Sequence, residues 1–175
     1  MTELITPARA ADHTTALATL LRQRHWRLAS AESCTGGLIA ALCTSVAGSS
    51  DWFERGFVTY SNEAKTEQLG VPAALIAAQG AVSQPVAEAM ALGALRHSRA
   101  QLAVAVTGIA GPGGAVPGKP VGTVWLALAW REEGAPQGLC VRSAVHVWPG
   151  DRTAVRSATV AQALKWLGLA ATGRA

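Results

Sequence analysis

Apolar residues recur at helical spacing near the start of the chain, where Leu17, Leu20 and Leu21 share one side of a segment from Asp12 to Arg24, with Asp12 the expected N-cap. Trp26 to Ala31 alternates and predicts a strand. Leu38-Ile39-Ala40-Ala41-Leu42-Cys43 is an apolar run that suits a buried helix, so Ser33-Cys34-Thr35-Gly36-Gly37 falls at a strand-to-helix turn. Aromatic and β-branched residues predict a strand over Trp52 to Tyr60, and Asn62 to Gln68 a short helix ended by Gly70. Pro72 to Gln79 reads as another short helix. Ser83-Gln84-Pro85 opens a longer one through Met90 and Leu95, with proline in the tolerated first turn.

Gln101 to Val106 is continuously apolar, as buried strands are. Thr107 to Gly122 carries five glycines before its last residue, at 108, 111, 113, 114 and 118, and prolines at 112, 117 and 120, which predicts an irregular loop. Val121 to Trp130 and Leu139 to Val147 predict a hairpin through the turn Arg131-Glu132-Glu133-Gly134. Asp151 caps a closing helix to about Leu169, with Val155, Val160, Leu164 and Leu167 near one face. The order of elements predicts a single-domain three-layer α/β/α sandwich over residues 1–175, core about 14–168, with a mixed, mainly parallel sheet.

Composition narrows the function classes. Half of the 175 residues are hydrophobic, enough for a genuine core. The 15 basic and 11 acidic residues leave a charge of +4, and the arginines are scattered, so no nucleic-acid track is expected; an anionic small molecule is compatible. Three cysteines, Cys34, Cys43 and Cys140, show no CxxC spacing and no nearby histidine pair, which argues for neither disulfides nor a metal site and suits a reducing, cytoplasmic compartment. Met1 to Pro7 lacks the plan of a signal peptide, and no apolar stretch reaches the roughly 18 residues of a membrane span, so a soluble protein without membrane partners is expected.

Two segments concentrate chemistry: Ala31-Glu32-Ser33-Cys34-Thr35-Gly36-Gly37 and Thr59-Tyr60-Ser61-Asn62-Glu63-Ala64-Lys65. A serine needs a neighbouring base, and all four histidines lie outside these segments, which points to serine-lysine chemistry rather than a Ser-His-Asp triad. Each residue also has a plainer role. Ser33 and Thr35 could simply cap the following helix, and Cys34 is a rival nucleophile at the same turn. Lys65 can act as a base only if its pKa is depressed; otherwise it is a solvated surface lysine. Tyr60, the one tyrosine, could relay a proton, orient the lysine or pack at a strand end. The glycine-rich loop after Thr107 is either an anion-binding nest or a flexible connection, and Arg152 either a phosphate ligand or an exposed first-turn residue.

Several motifs in one order are more specific than any alone. AESCTGG at 31 to 37, GSSDWFERGFVTYSNEAK at 48 to 65, GAVSQPVAEAMALGA at 80 to 94, TGIAGPGG at 107 to 114, KPVGTVW at 119 to 125 and GDR at 150 to 152 strongly resemble the CinA C-terminal family, within it the stand-alone nicotinamide-nucleotide amidohydrolases. The resemblance implies conversion of nicotinamide mononucleotide to nicotinate mononucleotide and ammonia in pyridine-nucleotide salvage, without metal or cofactor, by a homodimer. It implies a catalytic set of Ser33, Tyr60 and Lys65, with backbone amides around Thr35, Gly36 and Gly37 holding an oxyanion. Ser50, Thr107, Gly108 and Arg152 are implied near the substrate. The family's competence and damage-response names suggest the alternative of a non-catalytic nucleotide-binding or interaction module.

Overall fold

The computed structural model describes residues 7–132 and 134–173. The reading of Met1 to Thr6 and the position of Glu133 in the hairpin turn lie outside the described residues. The chain runs α1 (Pro7–Gln23), β1 (Leu28–Glu32), α2 (Leu38–Thr44), β2 (Phe53–Val58), α3 (Asn62–Leu69), α4 (Ala73–Gln79), α5 (Gln84–Arg96), β3 (Leu102–Gly108), β4 (Thr123–Arg131), β5 (Leu139–Val147) and α6 (Arg152–Ala171). Short 3-10 turns cover Ser49–Asp51 and Pro136–Gly138. Asp12 lies inside α1 rather than at its cap, because Ala-Arg-Ala-Ala after Pro7 favours helix and proline is tolerated in a first turn. Asp151 caps α6 as expected, accepting from the Ala154 amide at 2.9 Å.

One five-stranded sheet has the order β2-β1-β3-β4-β5. β1 pairs in parallel with β2 and β3, whereas β4 pairs antiparallel with β3 and β5, so four of the five strands point one way. The connection through α2 carries the chain from β1 to β2 on one side, and the connection through α3, α4 and α5 returns it to β3 on the other. β1 is thus the point where the winding reverses, and in such sheets the crevice beyond the strand's carboxyl end is where ligands bind.

The two faces of the sheet differ in side-chain size. Leu28, Leu102, Val104, Val106, Val124, Leu126 and Leu128 pack into one core with residues of α1, α2 and α6. The opposite face presents Ala29, Ala31, Ala103, Ala105, Ala127 and Ala129, and there the bulk comes from the helices: Val86, Met90 and Leu95 of α5 and Leu69 of α3. The alanines at the middle of that face let the helix layer lie close against the strands, while Phe57, Trp125, Leu139 and Val141 add bulk around them. No helix among the described residues is long and apolar enough to cross a membrane.

Candidate active site

At the carboxyl end of β1 the alternation of side chains sends neighbouring residues to opposite faces. Glu32 turns toward α2 and Ser33 toward α3. The strand end is fixed on both sides, since the Thr59 amide donates to Glu32 O at 2.9 Å and the Ser33 amide to Val106 O at 3.0 Å. Ser33 therefore stands just beyond the carboxyl end of β1, 9% exposed.

Lys65 meets it there. On α3, capped by Ser61 through the Ala64 amide, Lys65 is buried at 1% exposure and its Nζ lies 3.2 Å from Ser33 Oγ. Nζ also donates to the carbonyls of Thr59 at 2.8 Å and of Tyr60 and Ser61 at 3.3 Å each. Burial lowers the Lys65 pKa from its ordinary value, partly countered by the electrostatic influence of Cys34 and Glu63. As an ammonium, Nζ donates to these carbonyls and to Ser33 Oγ; in the neutral form its two hydrogens stay with the carbonyls and its lone pair can accept from the Ser33 hydroxyl. The arrangement can take a proton from Ser33.

Cys34 is a poor rival. Its thiol is buried and pushed up to about 11, chiefly by desolvation, with Glu32 adding to the rise. Tyr60 contributes differently from Ser33 and Lys65. Its carbonyl receives Lys65, but the residue is 61% exposed and its hydroxyl accepts from Arg152 Nη2 at 2.9 Å. Arg152 Nη1 donates to Gly111 O at 3.0 Å, so this guanidinium links the β2–α3 connection to the glycine-rich loop.

Ser33, Cys34, Tyr60, Asn62, Lys65, Ala81, Val82, Thr107, Gly108, Ala110 and Arg152 line one cleft of about 190 Å³. Thr107 and Gly108 belong to β3 rather than to the loop, the strand extending two residues further because β4 pairs with it as far as Gly108↔Val124. Thr107 Oγ1 donates to Ala81 O at 2.9 Å, tying the α4–α5 connection to the cleft. Gly108 is needed for packing, since a Cβ there would lie 2.6 Å from Val124 Cγ2. A larger groove of about 390 Å³ runs between α3 and α4, lined by Asn62, Glu63, Thr66, Glu67, Ala73, Ile76 and Ala77, where the Thr66 hydroxyl donates to Asn62 O.

Two expectations are corrected by this geometry. Ser50 is exposed at the amino end of β2, beside the start of β1, and so at the opposite end of the sheet from Ser33. The amides expected to hold an oxyanion are mostly engaged: Gly36 N–H donates to Ser33 O, and Gly37 N–H to Glu32 Oε2 at 3.0 Å. The Thr35 hydroxyl is buried and donates to the same carboxylate oxygen at 2.7 Å. In the turn the amides of Cys34 and Thr35 are not drawn into these bonds, that of Cys34 facing its own thiol. Positive φ at Gly36 (60°) and Gly37 (98°) lets the chain bend back to bring these groups onto Glu32.

Glu32 itself is the site residue that motif reading passed over. A fully buried acid at the end of an apolar strand was the available signal, because acids are almost never buried unless partnered. Arg156 of α6 supports the same turn, donating from Nη2 to Thr35 O at 2.9 Å. Among the described residues no three His, Cys, Asp or Glu side chains gather as a metal site.

A serine paired with a buried lysine at a sheet's switch point defines a class of site able to activate a hydroxyl nucleophile. Comparison gives the lineage: residues 10–170 match the CinA C-terminal domain, and the chain belongs to that family. It is 51% identical over 148 residues to Nicotinamide-nucleotide amidohydrolase PncC of Escherichia coli K12, covering 84% of this chain and 86% of that protein. It is 58% identical over 151 residues to a CinA-like protein of Citrifermentans bemidjiense, covering 86% of this chain but 35% of the relative, so it spans about a third of that longer protein. Among solved structures, a competence/damage inducible protein, CihA, from Agrobacterium tumefaciens superposes with a TM-score of 0.87 at 44% identity, covering 96% of this chain and 98% of that one.

Proposed function

We propose that this chain is an amidohydrolase that converts nicotinamide mononucleotide to nicotinate mononucleotide and ammonia, in pyridine-nucleotide salvage. The observation that carries the reading is the 3.2 Å approach of a buried Lys65 Nζ to Ser33 Oγ in a cleft. The likeness to a nicotinamide-nucleotide amidohydrolase over most of both chains supports the substrate. A non-catalytic binding module has no need of an amine held against a hydroxyl where burial lowers its pKa.

In this reading Ser33 Oγ attacks the carboxamide carbon while Lys65 Nζ takes the hydroxyl proton. The oxyanion of the tetrahedral intermediate is held by the turn amides that Glu32 and Ser33 O do not take, those of Thr35 and Cys34; such a donor contributes about 2.7 to 4 kcal/mol. The Lys65 ammonium then protonates the departing nitrogen, ammonia leaves, and an acyl ester remains on Ser33. Water, deprotonated by Lys65, cleaves that ester and returns the proton to Ser33. Tyr60 and Arg152 act at the rim, where the guanidinium can take the nucleotide phosphate as a bidentate donor. The phenol serves binding rather than proton transfer, its hydroxyl being turned to Arg152.

Ammonia release from nicotinamide mononucleotide by the purified chain and by Ser33→Ala is the direct test. Turnover in the wild type and none above background in Ser33→Ala is expected. A well-folded wild type with no turnover would overturn the reading.

A further inference from the structure

We infer that Glu32 is a positioning residue for the nucleophile, acting through the turn that carries Ser33; this rests on the proposed serine reading of the same site. Its carboxylate is 0% exposed and accepts from five donors. Oε2 takes Thr35 Oγ1 at 2.7 Å, the Gly37 amide at 3.0 Å and the Ile39 amide at 3.0 Å; Oε1 takes the Ala40 amide at 2.9 Å and Ser30 Oγ at 3.3 Å. Three backbone amides of the first turn of α2 are thereby fastened to the last residue of β1. The only residues between the two fixed ends are Ser33 to Gly36, so the carboxylate sets the shape of the loop that presents Ser33 to Lys65.

This also explains why the helix start is not available to substrate. The amides at Gly37, Ile39 and Ala40 would otherwise form an anion-attracting end facing the turn. Glu32 occupies them from the core side. It thus separates two tasks that the sequence merges: the helix start holds the scaffold, and the turn holds the chemistry. Glutamine in its place keeps the size but offers one acceptor oxygen and an NH2 that faces N–H donors, so the two anchored sets cannot both be satisfied. A misplacement of about 1 Å at a nucleophile can lower the rate about 100-fold.

The test measures two things on the full chain, for wild type, Glu32→Gln, Glu32→Asp and Thr35→Val. One is the rate at which an aryl sulfonyl fluoride labels Ser33, located by peptide mass spectrometry; the other is kcat and KM for ammonia release from nicotinamide mononucleotide. Expected are labelling and kcat both lowered by about 100-fold in Glu32→Gln, less in Glu32→Asp and Thr35→Val, with KM within about threefold of wild type. Because labelling needs no substrate, wild-type labelling without ammonia release would fail the proposed substrate while leaving the positioning role measurable. Wild-type labelling rate and kcat in a folded Glu32→Gln overturn the inference, as does a loss confined to KM or a wild-type Ser33 that is not labelled. If neither Glu32 variant folds, the decision falls to Thr35→Val, where unchanged labelling overturns it.

Discussion

The floor and the rim of the cleft are built on different terms. On the floor, Glu32 and Lys65 are both buried, and each is surrounded by partners drawn largely from the backbone: three amides for the acid and three carbonyls for the amine. On the rim, Tyr60 is mostly exposed and is held to Arg152 by a single side-chain bond, while Arg152 takes one carbonyl of the glycine-rich loop. Backbone groups cannot change rotamer, so the floor is fixed to within a hydrogen bond's tolerance. The rim can move to admit a ligand without disturbing the floor. A site can therefore combine an exacting proton-transfer distance with an adaptable entrance by giving each a different kind of support.

The sharpest way to break this contrast is at Lys65. Lys65→Met keeps the volume and removes the base, and kcat is expected to fall about 10²- to 10⁴-fold with KM little changed. The same variant reads the buried amine's effect on folding. The folded-state pKa of Lys65 lies below its ordinary value of 10.5, so between those two values the unfolded chain binds more protons than the folded one. Wild-type stability should thus rise relative to Lys65→Met as pH increases toward 10.5, measured as the difference in Tm. The activity follows the same titration. kcat/KM is expected to increase with pH along a limb whose midpoint lies below 10.5, and a flat profile across that range would remove Lys65 as the base.

Rim variants should act on binding. Arg152→Ala removes a charge-assisted donor, typically about 1.5 to 3 kcal/mol, so KM should rise about 10- to 100-fold while kcat stays within a few fold. A fall in kcat alone would move Arg152 to the floor. The smallest effect belongs to Cys34. With its thiol pushed up to about 11 it stays protonated at neutral pH, so Cys34→Ala, which keeps the backbone amide, should retain kcat within a few fold, and iodoacetamide should leave wild-type activity intact at pH 7. Inactivation by alkylation at Cys34 would return the thiol to the chemistry.

Sequence patterning located most elements because each answers to local rules. The start of α3 at Asn62, the Gly70 stop and the Asp151 cap of α6 fall at the residues expected. Where it failed, the cause was not local. Thr107 and Gly108 join β3 only because β4 supplies the pairing, and Ser50 shares a motif with Tyr60 and Lys65 but lies across the length of β2 from them. The glycine pair after Ser33 correctly announced a special turn, yet what the turn wraps around, the Glu32 carboxylate, depends on which face of β1 meets α2.

By itself the sequence determined which chemical groups this protein has and in what order: a serine at a strand-to-helix turn, a lysine one turn into a capped helix, glycines that permit the bend, and the motifs of its family. Periodicity and capping are properties of neighbouring residues, so they are written locally. Only the tertiary structure decided that Ser33 and Lys65, 32 residues apart, meet at 3.2 Å, that burial rather than solvent surrounds the amine, and that Glu32 holds the Gly37 amide expected to serve the substrate. Proximity and desolvation arise from packing layers on a sheet, and neither is a property of any segment alone.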